Sequence, residues 1–166
     1  VAAEKDPTAL GLPASAKGNV EGYLFPGGYD FPKGMSAQAQ LKAMIAKSVA
    51  QLNALGVRPT DMERVVIIGS LVEAEASRAE DRPKVARVIE NRLQAQMPLQ
   101  FDSTVNFIFG KHHIATTAAM RADKSPYNTY LVKGLPPGPI GNPGLAALKA
   151  AAQPATGDWT YFVTVD

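Results

Sequence analysis

The chain has 166 residues, enough for one domain that buries its own core. Hydrophobic residues make up 46% and charged residues 19%, which excludes a disordered chain. The net charge of +2, from 17 basic and 15 acidic residues, gives no field suited to nucleic acid or a membrane surface. Cysteine is absent, so disulfides, thiolate catalysis and cysteine metal sites are excluded. No run reaches the roughly eighteen consecutive apolar residues of a membrane span. No initiating Met or signal peptide is visible before Val1-Ala2-Ala3-Glu4, so a piece of a longer protein is expected.

Residues 1–35 carry Pro7, Pro13, Pro26 and Pro32, with Tyr23-Leu24-Phe25, Tyr29 and Phe31 among glycines. They read as turns and extended segments; 1–19 form a linker and 20–166 the domain. Tyr23 and its aromatic neighbours either line a groove or cover the core. A helix is predicted from Ser36, a plausible N-cap, to Leu55, with Leu41, Ile45, Val49 and Leu52 at helical spacing and Gly56 after it. A second runs from Asp61 to Ala76 and is apolar nearly all round, the mark of a central element. A third spans Asp81 to Gln96, with Pro83 in its first turn. Beyond Met97-Pro98 the pattern changes. Leu99 to Phe109 reads as a short extended run and a helical turn, and Tyr127 to Val132 has β-type composition. Gly134 to Gly144 is a stiff Pro/Gly loop. Asn142-Pro143 reads as N-cap and first residue of a helix reaching Ala152. Trp159 to Val165 reads as a closing strand. The expected fold is α+β, mostly α: a helical core with a central buried helix and a small β element, lysozyme-like in logic.

The second helix ends in Ser70-Leu71-Val72-Glu73-Ala74-Glu75-Ala76. Residues two apart on a helix diverge by about 200°, so Glu73 and Glu75 cannot share one substrate bond. Glu75 lies on the side of Ile68, Leu71 and Val72. Desolvation there favours a protonated carboxyl, which is what a general acid requires. Glu75 is therefore the candidate acid and Glu73 the reserve. The plain alternative is a helix end in water or in ion pairs, Glu75 with Arg78 and Glu73 with Ser77 or a nearby Arg.

Several groups suit a sugar. Gln100, Asp102 and Thr104 alternate, and in an extended segment all three project from one face. Asp102 could instead open a helical turn. Tyr127, Asn128, Thr129 and Tyr130 combine two rings with an amide and a hydroxyl, and the alternative is a strand edge. Gly138 and Asn142 sit in the stiff loop, whose backbone can approach a ligand closely. Arg78, Arg82, Arg87 and Arg92 read as a solvated helix face. His112-His113 is an adjacent pair that cannot face one metal, and no metal or cofactor site is expected.

Taken together, Glu21-Gly22-Tyr23-Leu24-Phe25-Pro26, Ser70 to Glu75, Val85 to Leu93, Met97 to Val105, Tyr127 to Tyr130 and Gly134 to Ile140 resemble the endolytic murein transglycosylase family (YceG-like, also called MltG). The likeness covers residue 20 to the end, and six motifs in the family's order make it specific. The resemblance implies that the second Glu of an E-x-E motif, here Glu75, is the catalytic acid. It implies a substrate, the β-1,4 bond between N-acetylmuramic acid and N-acetylglucosamine in peptidoglycan strands, and products with 1,6-anhydro ends. It further implies an N-terminal inner-membrane anchor, a LysM-like module, a catalytic domain facing the cell wall and peptidoglycan synthases as partners. Neither anchor nor module lies in this chain. The family usually continues past the closing strand into a further hairpin, whereas here the sequence stops at Asp166, so an incomplete cleft is expected. The middle of the motif, often Lys, is Ala74. Two rival readings are a hydrolase using Glu75 with Asp102 as second carboxylate and a non-catalytic glycan-binding module.

Overall fold

The computed structural model of the protein describes residues 7–110 and 116–163. Two short 3-10 turns, Pro7–Leu10 and Ala14–Ala16, precede six helices among the described residues: α1 (Ala37–Ala54), α2 (Met62–Glu75), α3 (Arg82–Gln94), α4 (Asp102–Phe109), α5 (Ala118–Arg121) and α6 (Leu145–Ala152). The first helix forms as its sequence dictates. The Ser36 side chain caps it by accepting from the Ala39 N–H. Gly56, at φ +75, takes the left-handed turn that ends it.

Helix α2 is the centre of the molecule. Every residue from Val65 to Val72 is buried, and α3, α4 and α6 all pack against it. Apolar side chains all round leave such a helix no stable place but the interior. Gly69 permits the closest of these approaches, because a Cβ there would lie 3.2 Å from Leu148 Cδ2 on α6 and 3.3 Å from Pro143 Cβ. Ser70, buried on the same helix, donates to the Ile67 carbonyl and accepts from the Ile140 N–H, so it ties the Pro/Gly loop to α2.

No strand occurs among the described residues, so the expected β element is not found among them. Tyr127 to Val132 folds into successive turns because Asn128 organises its own neighbourhood. Its amide donates to the Arg121 and Asp123 carbonyls, its Oδ1 accepts from the Tyr130 N–H, and its carbonyl accepts from Leu131 and Val132. Asparagine's local hydrogen bonding overrides the β-type composition. Residues 159–163 also form no strand, and side chains of α3 take up the carbonyls of Trp159 and Thr160; residues 164 and 165 of the expected strand lie outside the described residues. The last helix starts later than expected. Gly144 is its N-cap, and Asn142 is diverted to the N-terminal segment, where its Oδ1 accepts from the Gly22 and Leu24 N–H groups and its amide donates to Glu21. Among the described residues no helix is long and apolar enough to cross a membrane.

Candidate active site

The two glutamates at the end of α2 separate as the helix geometry requires, and their partners give them different characters. Glu73 is held by Arg82 Nη2 at 2.7 Å and accepts from the Gly144 N–H at 3.0 Å. It links α2, α3 and the start of α6. Glu75, the last residue of α2, is half-buried and has no cationic partner among the described residues; Arg78 does not reach it. Its Oε1 accepts from Ser103 Oγ at 2.5 Å. Burial raises its pKa above the ordinary carboxylate range. The side-chain and backbone hydrogen bonds of Ser103 pull the other way, and the charge of nearby Asp102 adds to the rise.

Asp102 is the first residue of α4, where a carboxylate meets the positive end of the helix. Its Oδ1 accepts from Thr116 Oγ1 at 2.5 Å and from the Tyr130 phenol at 2.6 Å, and its Oδ2 accepts from the Thr116 N–H. Burial works to raise its pKa, but these donors and the Arg121 charge outweigh it and hold the carboxyl below its usual range. Tyr130 shows the reciprocal effect. Burial first, then the bond to Asp102, pushes its phenol up to about 12. Asp102 is thus a fixed negative charge with its oxygens engaged by protein donors, next to a carboxyl that favours its proton.

A cavity of about 360 Å³ opens beside Glu75. Its walls include Arg78, the α3 residues Val85 and Val88, and Trp159 and Tyr161 from the C-terminal segment. Gln100 and Tyr127, both candidate sugar-binding residues, do not line this cavity. Gln100 is exposed, with φ +56, and its N–H bonds the Thr129 carbonyl. It does not share a face with Asp102 and Thr104, because α4 begins at Asp102 and replaces the extended run. Tyr127 is half-buried with its ring 4.9 Å from Phe107.

Five other sugar-binding candidates are scaffold residues. Thr104 and Thr129 are buried and share a hydroxyl contact of 2.9 Å, and Thr129 Oγ1 accepts from the Phe101 N–H. Asn128 is buried in the turn it organises. Gly138 is buried against Tyr127, with the phenol oxygen 2.9 Å from where a Cβ would stand. Tyr23 is a core residue whose phenol donates to Glu63 at 2.9 Å. Asn142, Thr104, Asn128, Thr129 and Tyr23 each make hydrogen bonds within the protein.

Three residues carry more of the site than their sequence suggests. Ser103 lies between two highlighted positions and is the one that touches Glu75. Thr116 holds Asp102. Arg92, read as solvated, is only 7% exposed and donates to the Thr160 carbonyl at 2.6 Å and the Leu99 carbonyl at 2.5 Å. Arg82 and Arg87 are also engaged, with Glu73 and the Ala155 carbonyl. Position 74 is exposed, so its side chain meets no packing constraint. His112 and His113 lie outside the described residues.

A family model described as the YceG-like family matches residues 2–166. The chain is 38% identical over 149 residues to an endolytic murein transglycosylase of Bacillus subtilis (strain 168), covering 87% of this chain and 41% of that protein. It is 33% identical over 175 residues to the protein of the same name in Streptococcus pneumoniae serotype 2, covering 98% of this chain and 32% of that one. The chain therefore spans less than half the length of these curated relatives. A crystal structure of a yceG-like protein from Listeria monocytogenes superposes with a TM-score of 0.84 at 30% identity, over 98% of this chain and 59% of that one.

Proposed function

The chain belongs to the YceG-like family, and we propose that it is the catalytic domain of a lytic transglycosylase that cuts peptidoglycan strands internally with Glu75 as its acid. The curated relatives carry the name endolytic murein transglycosylase. The observation that carries the assignment of Glu75 is its setting: a half-buried carboxyl at a cavity wall, with a raised pKa and a single side-chain donor.

Protonated Glu75 gives its proton to the oxygen that links C1 of N-acetylmuramic acid to the next N-acetylglucosamine. The C1–O bond breaks, the leaving sugar departs as an alcohol, and positive charge develops on the muramic ring. Asp102 supplies a fixed negative charge close to Glu75, where it stabilises that ring electrostatically. Glu75, now a carboxylate, removes the proton of the C6 hydroxyl, whose oxygen attacks C1 and closes a 1,6-anhydro ring. Glu75 ends protonated and ready for the next bond. No water is activated, so one carboxyl suffices. A hydrolase with Asp102 as base is disfavoured by the donors that already occupy the oxygens of Asp102. For the whole protein we extend the reading to an N-terminal membrane anchor, a catalytic domain facing the wall, and action beside the peptidoglycan synthases. Terminating or releasing nascent strands is the role that fits.

The test is product mass. Incubation with purified peptidoglycan is expected to yield anhydromuramyl ends, which lack the water that hydrolysis adds. Glu75→Gln should lower their rate by at least about 100-fold. Undiminished anhydro products from Glu75→Gln sink the assignment, and hydrated ends sink the transglycosylase.

A further inference from the structure

The described residues after α6 form no helix and no strand, yet Ala155, Gly157, Trp159 and Thr160 are fastened along α3. The Ala155 N–H donates to the Pro83 carbonyl. Arg87 Nε donates to the Ala155 carbonyl. Asn91 Nδ2 donates to the carbonyls of Gly157 and Trp159, at 3.1 and 2.8 Å. Arg92 Nε takes the Thr160 carbonyl. Side chains of a helix thus do for this strap what a neighbouring strand does in a sheet.

What the strap presents is unusual for a segment so well held. Exposure alternates along it. Phe162 turns inward, 6.1 Å from the Phe101 ring. Trp159, Tyr161 and Val163 stay 43%, 67% and 86% exposed. The Trp159 ring is seated on Gly157, where any Cβ would come within 2.5 Å of it. The Arg92 guanidinium lies 4.8 Å from the Tyr161 ring centre. Both rings belong to the wall of the cavity that Glu75 lines. Large aromatic rings fixed in place, left in water and bordering a carboxyl mark a surface built to be covered by a ligand.

We propose that residues 155–163 form a substrate-binding strap whose Trp159 and Tyr161 stack on pyranose rings of the glycan strand beside the linkage cut at Glu75. This rests on the function proposed above. The C–H faces of a pyranose fit an aromatic ring, while its equatorial hydroxyls stay in water. Arg92 is a positioning residue for both sides of the site. One guanidinium nitrogen holds the strap at Thr160, and another holds Leu99, three residues before the start of α4. It therefore sets the distance between the stacking rings and the helix whose Ser103 orients Glu75.

Trp159 is the chain's one tryptophan, so its fluorescence reports on the strap directly. The probe is a set of soluble oligomers of alternating N-acetylglucosamine and N-acetylmuramic acid, titrated onto the Glu75→Gln chain, which binds without cutting. A saturable change in Trp159 emission is expected, and Tyr161→Ala should weaken binding about tenfold. In the cutting enzyme, Trp159→Ala and Tyr161→Ala should raise KM about tenfold with a smaller change in kcat. Arg92→Lys keeps the charge and loses the fork, so it should raise KM and leave the pH profile in place. Calorimetric binding of the oligomers with silent Trp159 emission overturns the strap, as does wild-type KM in both ring variants. A strap that responds to glycan in a chain that makes no anhydro ends would instead overturn the activity and leave the strap standing.

Discussion

Gly22→Ala separates backbone strain from packing strain. Gly22 has φ +87, and a Cβ there would lie 2.5 Å from both Pro139 Cγ and Val66 Cγ1. The left-handed backbone costs an alanine roughly 1–2 kcal/mol. Forcing a methyl between a central helix and a proline of the stiff loop adds about 1–3 kcal/mol. Loss of glycine's freedom in the unfolded chain offsets about 0.4–1 kcal/mol of this. The expected net loss is about 1–4.6 kcal/mol, centred near 3 kcal/mol. Gly11→Ala is the control, because Gly11 has φ +77 with nothing within 4 Å of a Cβ. It should cost about 0–1.6 kcal/mol. Urea unfolding of both variants measures the difference: the midpoint falls further for Gly22→Ala and the slope stays the same. Equal losses in the two variants would refute the reasoning, since they would mean that Val66 and Pro139 yield without cost.

Ser103→Ala removes a donor that favours the charged form of Glu75. The pKa of Glu75 then rises further, and the alkaline limb of the activity profile should move to higher pH; a shift to lower pH would contradict the general-acid role. Glu75→Gln should raise thermal stability at neutral pH. The native carboxyl keeps its proton at a pH where the unfolded one has lost it, so stability falls as pH rises through the window between the two pKa values. Glutamine escapes that penalty, and its advantage should vanish in acid, below the unfolded pKa, as melting curves across pH will reveal. Thr129→Val keeps the shape and removes the acceptor of the Phe101 N–H, so chemical denaturation should register a loss of about 1–3 kcal/mol.

The helices were legible because their signals are local and repeat. Ser36 and Gly56 mark the ends of α1, Pro83 marks the start of α3, and the apolar circumference of α2 announces its burial. The segments that failed are those in which one polar side chain outbids the pattern around it. Asn128 and Asn142 each satisfy three backbone or side-chain groups. Asn128 thereby turns an apparent strand into turns. Asn142 leaves the helix start to Gly144. Sequence shows that an asparagine is present and not which distant N–H will reach it. The partners of Asn142 are about 120 residues away.

The same asymmetry governs the candidate site. Hydroxyl, amide and phenol side chains suit both a sugar and a buried turn, and their chemistry alone does not say which. Asn128 and Thr129 went to the turn, and Thr104 of α4 packs against it; Trp159 and Tyr161, in a segment read as a strand, went to the cavity wall. The apolar turn before Glu75 forecasts desolvation, and burial does raise its pKa. Yet the same turn precedes Glu73, and the decisive difference is in their partners. Glu73 meets Arg82 and a backbone N–H, which satisfy a full negative charge. Glu75 meets one hydroxyl, which favours the charged form, while burial and the field of Asp102 outweigh it and raise the pKa. Exchanging those partners, for example by placing an arginine at position 103, should turn Glu75 into a second structural carboxylate. Its pKa would fall below the working range, and the chain would lose its acid with the glutamate still in place.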